Sequence, residues 1–166
     1  MATTKLGDNE VHTNGDLPSV GSHAPDFVLT KNDLSAFTSL EQKGKRVILN
    51  IFPSIDTGVC ATSVRKFNQE AAKLDNTLVL CISQDLPFAH KRFCGAEGIE
   101  NVITLSGFRN PEFQENYGVK LMDSAMKGLC ARAVVVADEN GKVLHSELVP
   151  SIGQEPDYEA ALAVLN

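Results

Sequence analysis

The stretch "RVILNIFPSIDTGVCATSVRKFNQEAAKL" occupies residues 46–74. Its first seven residues are almost continuously apolar, which suits a central strand covered on both faces. Pro53 ends that run, and small or polar residues follow. From Cys60 the apolar positions become Cys60, Val64, Phe67, Ala71 and Leu74, a single helical stripe. The segment therefore reads as strand, loop and helix, with Cys60 in the helix's first turn. Two readings of Cys60 compete: a small buried residue on the stripe, or a nucleophile placed for its charge.

The pattern continues downstream. "TLVLCIS" (77–83) is a second buried strand, "DLPFAHKRFCG" (85–95) a short helix, and "NVITLS" (101–106) a third strand. A helix is expected from Asn110-Pro111 to Tyr117, with Pro111 in its first turn. "ARAVVVADENGKVLHSELV" (131–149) reads as a hairpin turning at Asn140-Gly141. Pro156 then opens an amphipathic helix carrying Tyr158, Ala161, Leu162 and Leu165. Upstream, the first forty-five residues are polar, with an Asn14-Gly15 turn signal and Phe27 and Leu29 alternating. Short β-ribbons extending the main sheet are expected there, with residues 1 to about 20 as an N-terminal β-extension.

The order β-α-β-α-β-α-β-β-α implies an α/β protein with a parallel centre and antiparallel edge strands from the late hairpin. A β-α-β unit followed by a β-β-α unit is the thioredoxin-like arrangement, with a mixed central sheet. Its reactive group sits at the start of the helix after the first core strand, which is where Cys60 falls. The 166 residues, 43% hydrophobic and 22% charged, fit one domain spanning 1–166. A net charge of −6 offers no basic surface for nucleic acid or anionic lipid. No apolar run approaches the roughly 18 residues that cross a bilayer. "MATTKLGDNEVHTNGDLPSVG" lacks the apolar core of a secretory signal, so the cytoplasm is expected.

Cys60, Cys81, Cys94 and Cys130 form no C-x-x-C pair. That argues against a zinc site and against a general dithiol oxidoreductase. The absence of any Pro between Pro111 and Pro150, where thioredoxins place one before the hairpin, argues the same way. His12, His23, His90 and His145 are scattered, and surface or turn positions are expected for all four. Cys81, inside a buried strand, and Cys130 read as packing residues, although oxidation or a mixed disulfide stays open for Cys130. Phe88, Phe93, Phe108 and Phe113 read as core or interface packing, with some available to form an apolar rim.

Three local features favour a charged sulfur at Cys60. The helix N-terminus attracts an anion. Thr57 can donate to sulfur or orient a substrate oxygen. Pro53, lacking an N–H, can wall the pocket. Arg132, at the start of a strand bordering the pocket, is a better cation than Arg65 or Lys66. A cysteine-phosphatase loop is excluded, because "CATSVR" is too short and contains no Gly.

"FPSIDTGVC" resembles the Pro-x-x-x-Thr-x-x-Cys motif of peroxiredoxins at Pro53, Thr57 and Cys60, and "APDFVL" resembles their N-terminal strand. "NIFPSIDTGVC", "VLCISQDLPFA", "RFCGAEG" and "EPDYEAAL" are similar to the bacterial thiol peroxidases, the atypical two-cysteine branch. The resemblance implies a thioredoxin-dependent hydroperoxide reductase. Cys60 would be the peroxidatic cysteine, forming a sulfenic acid on hydrogen peroxide or alkyl hydroperoxides. Thr57 and Arg132 would hold the peroxide, and Pro53 would shield it. Cys94 would resolve the sulfenic acid as an intramolecular disulfide that thioredoxin reduces, with no metal, haem or flavin. A homodimer is implied as well. A peroxide sensor using the same Cys60–Cys94 switch is the alternative.

Because Cys60 and Cys94 sit on different helices, and a disulfide needs Cα atoms within about 7 Å, residues 87–95 are expected to loosen after oxidation. Gly95 and Gly98 would weaken that helix's end.

Overall fold

The structure, a computed structural model, describes residues 1–166. Nine strands and four helices follow one another as β1 (Thr3–Leu6), β2 (Asn9–His12), β3 (Val28–Lys31), β4 (Ala36–Thr38), β5 (Arg46–Ile51), α1 (Gly58–Ala71), β6 (Thr77–Ser83), α2 (Pro87–Glu97), β7 (Ile103–Ser106), α3 (Glu112–Tyr117), β8 (Ala133–Ala137), β9 (Val143–Leu148) and α4 (Tyr158–Ala163). Seven strands form one mixed sheet in the order β4-β3-β7-β6-β5-β8-β9. β5, β6 and β7 run parallel, joined by the α1 and α2 crossovers, and β8 lies antiparallel to β5.

The continuous apolar runs of the central strands have their predicted cause, since each face of the sheet is covered. One face packs Ile48, Phe52, Val79, Cys81, Val134 and Val136 under α1, α2 and α4, through Cys60, Val64, Phe67, Phe93 and Ala161. The other packs Leu49, Ile51, Leu80, Ile82 and Val135 against Phe27, Phe113 and Tyr117. Alternate residues of a strand thus serve different cores. The helical stripe of α1 is buried at Cys60, Val64 and Phe67, while Ala71 and Leu74 are half-buried beside the same core.

Three expectations change. The N-terminal ribbon β1–β2 forms its own two-stranded sheet instead of extending the main one; β3–β4 makes the extension, through β7. The ribbon turns at Gly7 and Asp8, between Leu6 and Asn9, and not at Asn14-Gly15. It docks by Val11 onto Leu121, Ala131 and Ile152, with Lys5 bridging Ser151 and Thr13 bridging Leu121. Finally, the hairpin supplies only one edge strand. β9 is the edge, whereas β8 lies between β5 and β9 with all five of its residues buried.

Gly118, at φ +66°, ends α3 against the backbone of Asp16. A Cβ there would collide with that backbone, so the position requires glycine.

Candidate active site

The turn between β5 and α1 is built locally. Ser54 accepts at its carbonyl from the Thr57 backbone N–H (3.2 Å) and from the Thr57 hydroxyl (3.1 Å). Thr57 is the N-cap of α1, yet its hydroxyl makes no cap to the helix. Gly58, Val59 and Cys60 therefore form a first turn whose N–H groups have no acceptor within the helix. Cys60 is fully buried there.

Arg132 reaches Cys60 from the residue just before β8. Its Nη2 donates to Cys60 Sγ at 3.2 Å, and its Nε donates to the Ile152 carbonyl at 2.8 Å. The guanidinium is 2% exposed, and its Nη1 has no partner. An orphaned buried donor of this kind costs on the order of 1–3 kcal/mol, which a ligand oxygen would recover. Beside it opens a cleft lined by Pro53, Thr57, Gly58, Val59 and Arg132. Its far wall carries Leu6 and Gly7 from the N-terminal ribbon, Met126, and residues 151–154. The fold thus brings Pro53, Thr57, Cys60 and Arg132 together, with positive charge at the sulfur and an unpartnered buried donor on the arginine that lines the cleft.

Cys94 is elsewhere. It lies in the last turn of α2, half-buried, with its Sγ 4.0 Å from the Thr104 hydroxyl, and all four cysteines are free thiols. Burial raises its pKa above the ordinary thiol value, and the Thr104 contact offsets part of that rise. The helix ends on Cys94, whose carbonyl accepts from the N–H groups of Gly98 and Ile99. Gly98 adopts the left-handed conformation at φ +65°. Cys81 and Cys130 are fully buried, and burial pushes both up to about 12, so both are inert thiols.

Sequence reasoning missed the polar residues that fix this frame. Asn50, in the middle of β5, is fully buried and donates to the Ser63 hydroxyl at 3.1 Å; Ser63 in turn donates to the Cys60 carbonyl at 2.8 Å. Asp85, just after β6, gathers three donors. Ser54 Oγ reaches Oδ1 at 2.7 Å, while Ile55 N at 2.7 Å and Ser83 Oγ at 2.6 Å reach Oδ2. Burial opposes ionisation of Asp85, but the nearby His90 ring, 3.8 Å from Oδ2, and the hydrogen bonds from Ser83, Ile55 and Ser54 outweigh it and bring its carboxyl to about 2.

His90 is wholly buried on α2, contrary to the surface position expected for it, and His145 is half-buried on β9. The Ser83 proton goes to Asp85, so Ser83 Oγ accepts from His90 Nε2 at 2.8 Å. His90 Nε2 therefore carries a proton. The only signal in the sequence was a strand ending in "SQD" beside the Cys60 loop.

Asp56, in the turn before α1, pairs with Arg92 of α2 at 2.7 Å. Arg65 makes a two-point ion pair with Glu97, at 2.8 and 3.1 Å, and does not serve Cys60. Phe93 and Phe113 are core residues, whereas Phe88 is 65% and Phe108 41% exposed.

The model of the Redoxin family matches residues 19–162. A thiol peroxidase from Corynebacterium glutamicum is 57% identical over 166 residues, the whole of both chains. The crystal structure of a peroxiredoxin-like protein from Aquifex aeolicus superposes with a TM-score of 0.92 at 39% identity, covering 99% of this chain and 96% of that one. A thiol peroxidase from Chromobacterium violaceum has the same fold, with a TM-score of 0.90 at 21% identity over 98% of this chain and 94% of its own. With a family match over most of its length and a full-length relative at this identity, the chain belongs to the Redoxin family, in its thiol peroxidase branch.

Proposed function

We propose that this thiol-dependent peroxidase reduces hydrogen peroxide and alkyl hydroperoxides at Cys60, with Cys94 resolving the product and thioredoxin restoring both thiols. The observation that carries this reading is Arg132, which lines the cleft and donates to Cys60 Sγ while its Nη1 has no partner. The Cys60 thiolate attacks the terminal oxygen of the hydroperoxide. The O–O bond breaks, sulfur becomes a sulfenic acid, and the leaving oxygen takes a proton and departs as water or an alcohol.

Thr57 gives its proton to Ser54, so its oxygen is left to accept the hydroperoxide O–H. Arg132 Nη1 donates to the peroxide oxygens and stabilises charge leaving on the alkoxide. Pro53 walls the cleft without offering a competing N–H. Leu6, Met126 and Ile152 give the far wall an apolar character suited to an alkyl group.

Cys94 then attacks the Cys60 sulfenic acid, releasing water and leaving one disulfide, and the thioredoxin dithiol reduces it by exchange. The cytoplasm, which keeps thiols reduced, is the compartment this cycle suits. A homodimer is supported by the exposed apolar side chains Leu86, Phe88 and Phe108, just before α2, in its first turn and on the loop after β7. No helix is long and apolar enough to cross a membrane.

The test is hydroperoxide consumption coupled to thioredoxin and its reductase. Many turnovers per chain are expected. A single equivalent consumed per chain would instead indicate a peroxide sensor, and normal turnover by Cys60→Ser would overturn the assignment.

A further inference from the structure

Asp85 touches no part of the cleft, yet it holds the segment that shapes it. Its Oδ1 takes the Ser54 hydroxyl and its Oδ2 takes the Ile55 backbone N–H. Ser54 is the residue whose carbonyl fixes Thr57, through both the Thr57 N–H and the Thr57 hydroxyl. The Asp56 N–H also bonds Ser54 Oγ, at 3.2 Å. Every hydrogen bond that orients the Thr57 hydroxyl therefore passes through Ser54, and Ser54 is anchored to Asp85. The same carboxylate takes the Ser83 hydroxyl, and through it holds His90 of α2, the helix that carries Cys94.

We propose that Asp85 is a positioning residue for the peroxidase reaction: its carboxylate fixes the Ser54–Thr57 turn so that the Thr57 oxygen faces the hydroperoxide as an acceptor. This rests on the role given to Thr57 and Cys60 above. A carboxylate suits the position because three donors converge on it and both oxygens must accept. An amide has one accepting oxygen. Asp85→Asn would either set its NH2 group against the Ile55 N–H, donor facing donor, or turn it to Ser54, whose hydroxyl already takes the Asp56 N–H and would have to accept where it now donates. The turn would shift, and Thr57 would lose its direction without any change in the residues lining the cleft. Displacements of about 1 Å at a reacting centre cost up to about a hundredfold in rate.

The test is the second-order rate constant of Cys60 oxidation by cumene hydroperoxide and by hydrogen peroxide. It is measured by stopped flow on the full chain carrying Asp85→Asn, Thr57→Val, or both. Asp85→Asn alone is expected to slow Cys60 oxidation by about tenfold or more. In the Thr57→Val background it should change the rate by less than about twofold, because the group it positions is gone. A merely structural role would lower the melting temperature and leave the rate unchanged, or slow both backgrounds equally; either result overturns the proposal.

If Asp85→Asn does not fold, Ser54→Ala removes the same link from the other side and enters the same cycle. It is expected to slow oxidation in the native background and not in the Thr57→Val background, and equal effects in both would overturn the proposal. Failure of the underlying reading looks different: the wild-type chain itself would then react no faster than a free thiol, or would react equally well as Cys60→Ser.

Discussion

Arg132 Nη2 stands 3.2 Å from Cys60 Sγ, and both residues are sealed from solvent. The guanidinium is held there by its second bond, from Nε to the Ile152 carbonyl. Its three nitrogens thus differ: one fixes the side chain, one meets the sulfur, and one is left without a partner. A lysine has a single nitrogen on a flexible stem and cannot divide itself this way. Arg132→Lys is therefore expected to slow Cys60 oxidation by roughly a hundredfold, the scale of losing a preorganised donor at developing charge. Stopped-flow oxidation with the melting temperature alongside checks this. A rate within about threefold of wild type would mean that charge alone suffices.

Cys94 is bonded to nothing stronger than the Thr104 hydroxyl at 4.0 Å, and it sits at the end of α2 where Gly98 closes the helix. Cys94→Ser is expected to leave the first step intact, so that one equivalent of hydroperoxide converts Cys60 to its sulfenic acid. Cycling with thioredoxin should then stop, and excess peroxide should carry Cys60 on to sulfinic acid. Mass spectrometry of the oxidised chain reads this directly. A disulfide still formed in the variant would assign resolution to another thiol, although burial makes Cys81 and Cys130 poor candidates.

In the proposed cycle α2 loosens so that Cys94 reaches Cys60, and two ion pairs tie the helix to the Cys60 side. Arg92 pairs with Asp56 in the active-site turn, and Arg65 of α1 pairs with Glu97 at the helix end. Both are solvent-exposed, so each contributes under about 1 kcal/mol. Arg65→Gln and Glu97→Gln should each speed Cys60–Cys94 disulfide formation by about two- to threefold, and high salt should speed the wild type more than either variant, which keeps only the Arg92–Asp56 pair. Backbone amide exchange over residues 87–98 should be faster in the oxidised form than in the reduced one. Equal protection in both redox states, or slower disulfide formation in both variants, would remove α2 loosening as the resolving motion.

The parts of this site that could be read in advance were those written as local pattern. The apolar run before Pro53 and the stripe through Cys60, Val64 and Phe67 carry their own periodicity, so β5, α1 and the place of Cys60 followed. Arg132 was accessible because strand order alternated with helices, which brings the start of β8 beside the end of β5. His90 and Asp85 were not accessible. A single histidine on a short helix and an aspartate after a strand look solvated, and only tertiary contact makes them one buried network. Strand order was hidden for the same reason. The five residues of β8 are apolar because both faces of the sheet are packed over there, a signal that marks an interior strand but does not name its partners. Asn14-Gly15 is the stronger local turn signal, yet the ribbon turns at Gly7 and Asp8, which lets Thr4 and Val11 point to the same buried side.

The N-terminal ribbon supplies Leu6 and Gly7 to the cleft, so whatever holds the ribbon also shapes the substrate pocket. Part of that hold is His12, whose Nδ1 meets Asp123 at 2.7 Å and whose backbone N–H also reaches Asp123. The Asp123 hydrogen bond raises the His12 pKa above 6.5, and His12 in turn lowers that of Asp123. The ion pair is complete below the ordinary histidine value and is lost as pH rises through the raised one. Amide exchange in β1 and β2 should therefore accelerate as pH climbs past that range, beyond the intrinsic rise of exchange with pH, and the extra acceleration should vanish in His12→Gln. A ribbon whose protection follows the same pH course in both proteins would show that the Val11 packing holds it alone.

At the acid end the sign reverses, and Asp85 dominates the expectation. Its carboxyl is depressed from 3.8 to about 2, chiefly by donors that exist only in the folded chain. A depressed acid adds stability that is fully present above its unfolded value and disappears as pH falls through its folded one. The melting temperature of the wild type should therefore drop steeply between about pH 4 and pH 2. Asp85→Asn, with no carboxylate to protonate, should start lower at neutral pH and fall less steeply across that interval. The two curves converge because protonated Asp85 can no longer accept on both oxygens, the same deficit the amide carries at every pH. Parallel curves from pH 7 to pH 2 would mean that the Ser54, Ile55 and Ser83 donors bond the carboxylate no better than water does. The frame around Thr57 would then need another anchor.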